Sequence, residues 1–338
     1  MHLGRKYKFT EYLVWMRRET AYLFVWSLFV TALFEILHLN FLSVPGPVLA
    51  VVGTAVAIVL GFKNAQCYAR INEALATWGQ ITSVSTIWAN KVNSLLGPLD
   101  DGAELLKQLF YRHFAWLTLL RFTLRAEKVW ENIYEAGNAK FLAELPTPER
   151  QSNLNDELAV YLSDSEFQKV VAHRGDKEAL IIGWQYQTLG DLCHKHLISD
   201  IAFNVLAGPI DDLVRLQGSS KRIKNYPYAR NYYSIALILV RFFVAMAPLA
   251  LFQYVRDLGK PLGIEHWTAW LNVVFGVAIG WIFVALEKVG ENSSNPFEGG
   301  PNDVPISSIA RRIEIEMRTL LGEQTDLKPV EPKYNILF

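Results

Sequence analysis

Residues 46–62 read Gly-Pro-Val-Leu-Ala-Val-Val-Gly-Thr-Ala-Val-Ala-Ile-Val-Leu-Gly-Phe, and the chain holds no Asp, Glu, Lys or Arg from Ile36 to Phe62. Pro45-Gly46-Pro47 breaks that run. Proline suits the first turn of a helix, where its missing N–H would have no partner anyway, so a helix is predicted over about 47–62. At helical period two adjacent stripes emerge. Gly53, Ala57 and Gly61 form a stripe of small residues, which lets helix backbones approach closely. Thr54, Ile58 and Phe62 form the next stripe round. A ring of such helices would pack through the small stripe and turn the second stripe toward an axis. The same period also fits a helix packed in lipid with no lumen.

Three further apolar runs lie at 21–34, 231–254 (interrupted by Arg241) and 267–286. A helix needs about 20 apolar residues to cross a bilayer core, and the last run has that length with the pair Gly276/Gly280 at helix-packing spacing. Four spans are therefore expected, rather than a soluble bundle with buried helices. No small-residue cleavage site follows the first run, so it is not read as a signal peptide. Lys and Arg crowd before the first span, after the second (Lys63, Arg70) and before the third (Lys221, Arg222, Lys224, Arg230). By the positive-inside rule both termini and the middle region are cytoplasmic, as in an inner (plasma) membrane protein. The expected organisation is a cytoplasmic segment at 1–20, spans one and two within 21–62, a cytoplasmic helical region at 63–230, spans three and four within 231–286, and a cytoplasmic C-terminal segment at 287–338. Within the middle region, 108–124 and 180–198 read as amphipathic helices and 145–156 as a loop leading into a new helix. No alternating β pattern and no repeat is visible, so the fold class is all-α.

The 338 residues are 51% hydrophobic and 13% aromatic, with 33 basic and 33 acidic side chains. Disorder would demand fewer aromatics and more charge. A nucleic-acid partner would call for a basic excess, which is missing. Cys67 and Cys193 make neither a disulfide framework nor a zinc site. Glu35 and His38 have E-x-x-H spacing, which would share a helix face, but a di-iron site needs a second such motif. His194 and His196 are two apart in a helical region. No metallohydrolase, nucleophile-elbow or phosphate-loop motif is present, so neither an enzyme nor a bound cofactor or metal is expected.

Gly61-Phe62-Lys63-Asn64, Tyr68, Arg70, Glu73 and Trp78-Gly79 match without a gap the pattern G-F-R-N-x-x-x-Y-x-R-x-x-E-x-x-x-x-W-G. In this the chain resembles the bestrophin family in its prokaryotic branch. Asn295-Pro296-Phe297, Asn302-Asp303-Val304-Pro305 and Ile313-Glu314 resemble a second family segment, after the last span. A third segment, Ser199-Asp200-Ile201 to Lys221-Arg222-Ile223 and Pro227-Tyr228, is similar in outline. Ser220 and Lys221 stand there where members have Cys and Glu.

The resemblance implies a homopentameric ion channel in a lipid bilayer, with one pore on the fivefold axis. Carried over by position, Thr54, Ile58 and Phe62 form the neck, and Ile201 with Ile198 the cytoplasmic aperture. A narrow apolar ring gates by making water unstable in the passage. Thr54 stands where members have an aliphatic residue. Animal members are calcium-activated anion channels with a run of acids after N-P-F. Here only Glu298 and Asp303 follow, too few oxygens for tight calcium binding. Asp200 precedes Ile201 and would place a ring of carboxylates at the aperture, which favours monovalent cations, unless it serves as a helix cap. The expected function is passage of small monovalent ions, cations first, with chloride as the alternative. A membrane-anchored regulatory scaffold without conduction is the rival of another class.

Overall fold

One helix organises the chain. The computed structural model describes residues 1–132, 141, 143–324 and 326–338, and its longest element runs unbroken from Gly46 to Leu96. The expected helix at 47–62 is only the first third of it. No proline interrupts the sequence between Pro47 and Pro98, and Gly97-Pro98 ends the helix, since proline cannot extend it. Residues at spacings of three and four, including Gly53, Val56, Leu60, Lys63, Cys67, Ala74, Trp78, Ile81, Ser85, Trp88, Val92 and Leu96, are buried along its whole length. That spacing keeps one stripe of a helix on one side.

The described helices, in chain order, are α1 (Phe9–Trp15), α2 (Arg17–Glu35), α3 (Gly46–Leu96), α4 (Gly102–Arg125), α5 (Pro148–Gln151), α6 (Leu154–Ala159), α7 (Asp164–Ala172), α8 (Lys177–His194), α9 (Asp200–Asn225), α10 (Arg230–Asp257), α11 (Glu265–Ala269), α12 (Leu271–Asn292) and α13 (Ile306–Leu320). Among the described residues there is no strand, only isolated bridges His2–Ile336 and Lys333–Ile336. The chain is all-α.

Contacts divide it into two units. One comprises residues 4–69 and 228–294, the other residues 1–3, 70–227 and 295–338. Residues 4–20 belong with the first unit, where only Met16 separates α1 from α2.

In the first unit α2, α10 and α12 form a bundle against the start of α3. Gly276 and Gly280 permit close packing, since an added Cβ would lie 2.6 Å from Ser27 Oγ and 2.6 Å from Leu23 Cδ2, respectively. Asn272 Nδ2 donates to Thr31 Oγ1 at 3.0 Å and to the Pro248 carbonyl at 3.1 Å, which satisfies its buried amide nitrogen. The E-x-x-H reading fails here. α2 ends at Glu35, and His38 lies beyond it with φ of 52°. Glu35 instead accepts from His266.

The second unit packs α4, α8, α9 and α13 around Trp78, Trp88, Phe110, Phe114 and Trp116. α4 is buried on nearly every side, contrary to the amphipathic expectation, because its polar groups are paired inside. Arg112 bonds Glu166 at 2.7 Å and Thr188 at 2.8 Å. Arg121 bonds Glu149 at 2.6 Å and Glu157 at 2.7 Å. His113 bonds Ser85 at 2.9 Å, and burial pushes its pKa down to about 3, so it stays neutral. The helix expected over 180–198 stops at His194, where His196 turns the chain with φ of 55°. The 145–156 stretch holds two short helices, α5 and α6.

The N-P-F segment folds onto Asp303, whose Oδ2 accepts from the amides of Gly299 at 2.7 Å and Gly300 at 2.9 Å. Phe297 beside it is buried. Glu298 accepts from the Asn132 amide, and from Asn295 Nδ2 at 3.5 Å. Burial, then the charges of Asp303 and Glu131, push its pKa from 4.5 up to about 8. The folded chain therefore keeps a proton that the unfolded chain releases, and stability falls as pH rises from about 4.5 to about 8. Glu298→Gln imitates the protonated group. Thermal melts of detergent-purified protein are expected to place this variant several degrees above wild type at pH 9 and level with it at pH 4. Equal differences at both pH values would show that Glu298 ionises normally.

Candidate functional site

The exposed side of α3 is as continuous as its buried side. Thr54, Ile58 and Phe62 all lie on it, with Ile58 55% and Phe62 70% exposed. Their fate follows from period alone, because Val56, Leu60 and Lys63 occupy the inward positions between them. Thr54 Oγ1 donates to the Ala50 carbonyl at 2.9 Å. Its outward oxygen is thus left with acceptor character only.

The small-residue stripe divides. Gly53 is buried, and an added Cβ would lie 2.8 Å from the Phe243 ring of the same chain. Ala57 and Gly61 are exposed, and at Gly61 nothing lies within 4 Å of the added Cβ. The expectation that all three pack neighbouring helices is corrected at Gly53, which serves the protomer's own α10. Each step of four residues turns about 40° round the helix, so Gly53 sits at the edge of the covered stripe while Ala57 and Gly61 move off it.

Ile201 and Ile198 also part company. Ile201, in the first turn of α9, is 76% exposed. Ile198, just before that helix, is 8% exposed and belongs to the core of its unit. Ile198 is therefore a core residue and not a lining one. The cap of α9 is Ser199, whose hydroxyl accepts from the Ala202 amide at 3.1 Å. Asp200 stands one position further on, exposed, and takes the Cys193 thiol proton in a hydrogen bond of 3.1 Å. A carboxylate in the first turn also complements the positive end of the helix.

The signature residues after Phe62 hold the protomer together. Lys63 is buried and pairs with Glu287 at 2.7 Å. Asn64 Nδ2 donates to the Leu286 carbonyl at 3.0 Å. Arg70 donates to the carbonyls of Ile223 and Tyr226, and Glu73 binds Arg222. Together they clasp the C-terminal turn of α9, where free carbonyls attract a cation. Trp78 is wholly buried. Sequence reasoning missed Glu287 and the carbonyl role of Arg70. A lone acid just beyond an apolar run was the available signal for the first. Among the described residues no group of three His, Cys, Asp or Glu could hold a metal ion.

A model of the bacterial/fungal bestrophin protein matches residues 13–319. The chain belongs to this family. It is a membrane protein of an ion-channel family, not an enzyme. The "voltage-dependent anion channel-forming protein YneE" of Salmonella typhi is 29% identical over 276 residues, covering 81% of this bestrophin and 76% of the relative. The protein of the same name from Escherichia coli K12 is 27% identical over 276 residues, with the same coverage of 81% and 76%. The "voltage-dependent anion channel-forming protein RSc3414" of Ralstonia nicotianae is 26% identical over 274 residues, covering 81% and 76%. In fold, this bestrophin is similar to a bacterial bestrophin homologue from Klebsiella pneumoniae, with a TM-score of 0.74 and 18% identity over 92% of this chain and all of the other.

The divided stripe sets two glycine substitutions apart. Gly53→Leu is expected to destabilise the protomer by about 1–3 kcal/mol through overpacking against Phe243. Gly61→Leu is expected to leave protomer folding unchanged and to weaken association between copies. Circular dichroism melts and native mass spectrometry of the two variants check this, and a Gly61→Leu oligomer as stable as wild type would overturn it.

Proposed function

We propose that this bestrophin assembles as a homopentameric channel of the inner membrane that passes small monovalent ions, with α3 lining the pore. The observation that carries this reading is the exposed stripe Thr54/Ile58/Phe62 on a long apolar helix whose opposite stripe is fully covered by its own chain. Large apolar side chains left open on such a helix face either lipid or a lumen. A hydroxyl ring above two apolar rings suits a lumen that gates by dewetting. Ile201, exposed beside Asp200, is the candidate for the cytoplasmic aperture.

Three helical stretches, Asn40–Leu96, Asp200–Leu262 and Glu265–Asn292, are long and apolar enough to cross a membrane. α2 is the fourth span in this reading. Its buried residues Leu23, Val30 and Phe34 are matched by exposed Phe24, Val25 and Phe29, and a helix apolar on all sides belongs in lipid. The Lys and Arg residues flanking the spans favour cytoplasmic termini. In the N-P-F segment Asp303 is taken up by backbone amides and lies 3.9 Å from Arg125, an arrangement that argues against calcium control.

For ion choice, the names of the relatives favour anions over the cations expected from Asp200. Arg241 supports the anion reading. It is exposed midway along α10 and forms no ion pair among the described residues, and a cation in an apolar span needs a counter-anion. The cation reading keeps two observations of its own, the exposed Asp200 carboxylate and the acceptor-only oxygen of Thr54.

Planar-bilayer recordings test both levels. Ile58→Ala and Phe62→Ala are expected to raise open probability at least about threefold by widening and wetting the neck. Unchanged gating in both would remove this stripe from the pore. Under a salt gradient at low ionic strength, where screening is least, wild type is expected to reverse near the chloride equilibrium potential. Arg241→Gln is expected to move the reversal toward zero. A reversal near the cation potential, weakened by Asp200→Asn, would establish the cation reading instead.

A further inference from the structure

Phe62 and Lys63 are neighbours in sequence with opposite environments, 70% and 1% exposed. Among the described residues, the groups that hold Lys63 come from α10 and α12. Its ammonium lies 2.7 Å from Glu287 Oε1 and 4.5 Å over the Tyr233 ring, whose hydroxyl donates to Glu291. The next residue, Asn64, donates to the Leu286 carbonyl at 3.0 Å. Gly290 makes room for both, since an added Cβ there would lie 2.1 Å from Asn64 Oδ1 and 3.5 Å from Lys63 Cε. Above, α3 meets its neighbours through Gly53, Val56, Val59 and Leu60, contacts that are apolar and tolerate small rotations.

A buried ion pair seldom stabilises a fold more than apolar packing would. What it does supply is a directional contact that a rotated or slipped helix loses outright. Lys63 is also paired with the Glu287 carboxylate, so the two together present little net charge to a passing ion.

We infer that the Lys63–Glu287 pair is the positioning device of the gate: it fixes the rotation of α3 so that Phe62 stays on the exposed stripe, and thereby sets the balance between closed and open states. This rests on the channel reading above. Lys63 and Glu287 are positioning residues, acting through Phe62 rather than on the ions.

The test is single-channel recording of the full chain in planar bilayers, with wild type, Phe62→Ala, Lys63→Met, Lys63→Arg, Glu287→Gln and the double variant Phe62→Ala/Lys63→Met. Lys63→Met and Glu287→Gln are each expected to change open probability at least about threefold, with unit conductance and reversal potential unchanged. Lys63→Arg, which keeps the charge, is expected to restore wild-type gating. Lys63→Met is expected to have no further effect once Phe62 is already Ala, the non-additivity that marks two residues acting as one. Glu287→Gln keeps the shape and an acceptor oxygen, and gives the same reading where Lys63→Met does not assemble. The inference is overturned if Phe62→Ala alters gating while Lys63→Met and Glu287→Gln do not, or if Lys63→Met acts equally in both backgrounds. A Phe62→Ala channel with unaltered gating removes Phe62 from the gate and overturns this inference, while Ile58→Ala still tests the neck.

Discussion

An α-helix advances 100° per residue, and over the 51 residues of α3 that constraint sorts every side chain into one that its own chain covers and one that it does not. The covered stripe repeats at three and four residues from Gly53 to Cys67 and again from Ala74 to Leu96, with half-buried Arg70 and Ile71 between. In the membrane-type unit it meets Phe243, Val240 and Val244 of α10, and in the other unit it meets the tryptophan-rich core. Because one stripe is fully used in this way, the rest of the helix remains open along its length. The candidate neck residues are a by-product of that division. They are exposed because their neighbours are buried.

Charged residues in this chain act mainly as fasteners. Arg70 and Glu73 hold the end of α9, Arg121 gathers Glu149 and Glu157 within the helical core, and Lys63 binds Glu287. Each is a contact that depends on direction, and each sits where two helices must keep register. Apolar packing gives most of the stability of such a fold, but it is indifferent to small rotations. The family signature reads accordingly. Its Gly and Phe lie on the open side of α3, and its Lys, Asn, Arg, Glu and Trp hold the helix in place.

The same view explains why selectivity draws on two opposing cues. Asp200 is exposed beside the thiol of Cys193 and next to exposed Ile201, whereas Arg241 is exposed on a different helix in the other unit. Ion preference in a channel is set by the charges that ions meet along the whole path.

Hydropathy and period carried much of this in the sequence. The apolar runs, the all-α class, the start of α3 at Pro47 and the stripe Thr54/Ile58/Phe62 were legible there, because a helix face depends only on spacing. The gapless match from Gly61 to Gly79 pointed to the family for the same local reason. What could not be read was which of two neighbouring stripes finds a partner within the chain. Gly53 and Gly61 are alike in sequence, yet Phe243 covers one and nothing covers the other. Ile198 and Ile201 are alike too, and the turn at His196 sends one into the core and leaves the other open. No spacing in the sequence pairs Lys63 with Glu287, 224 positions away. Contacts between residues distant in the chain have no spacing to betray them, so tertiary packing alone decided those cases.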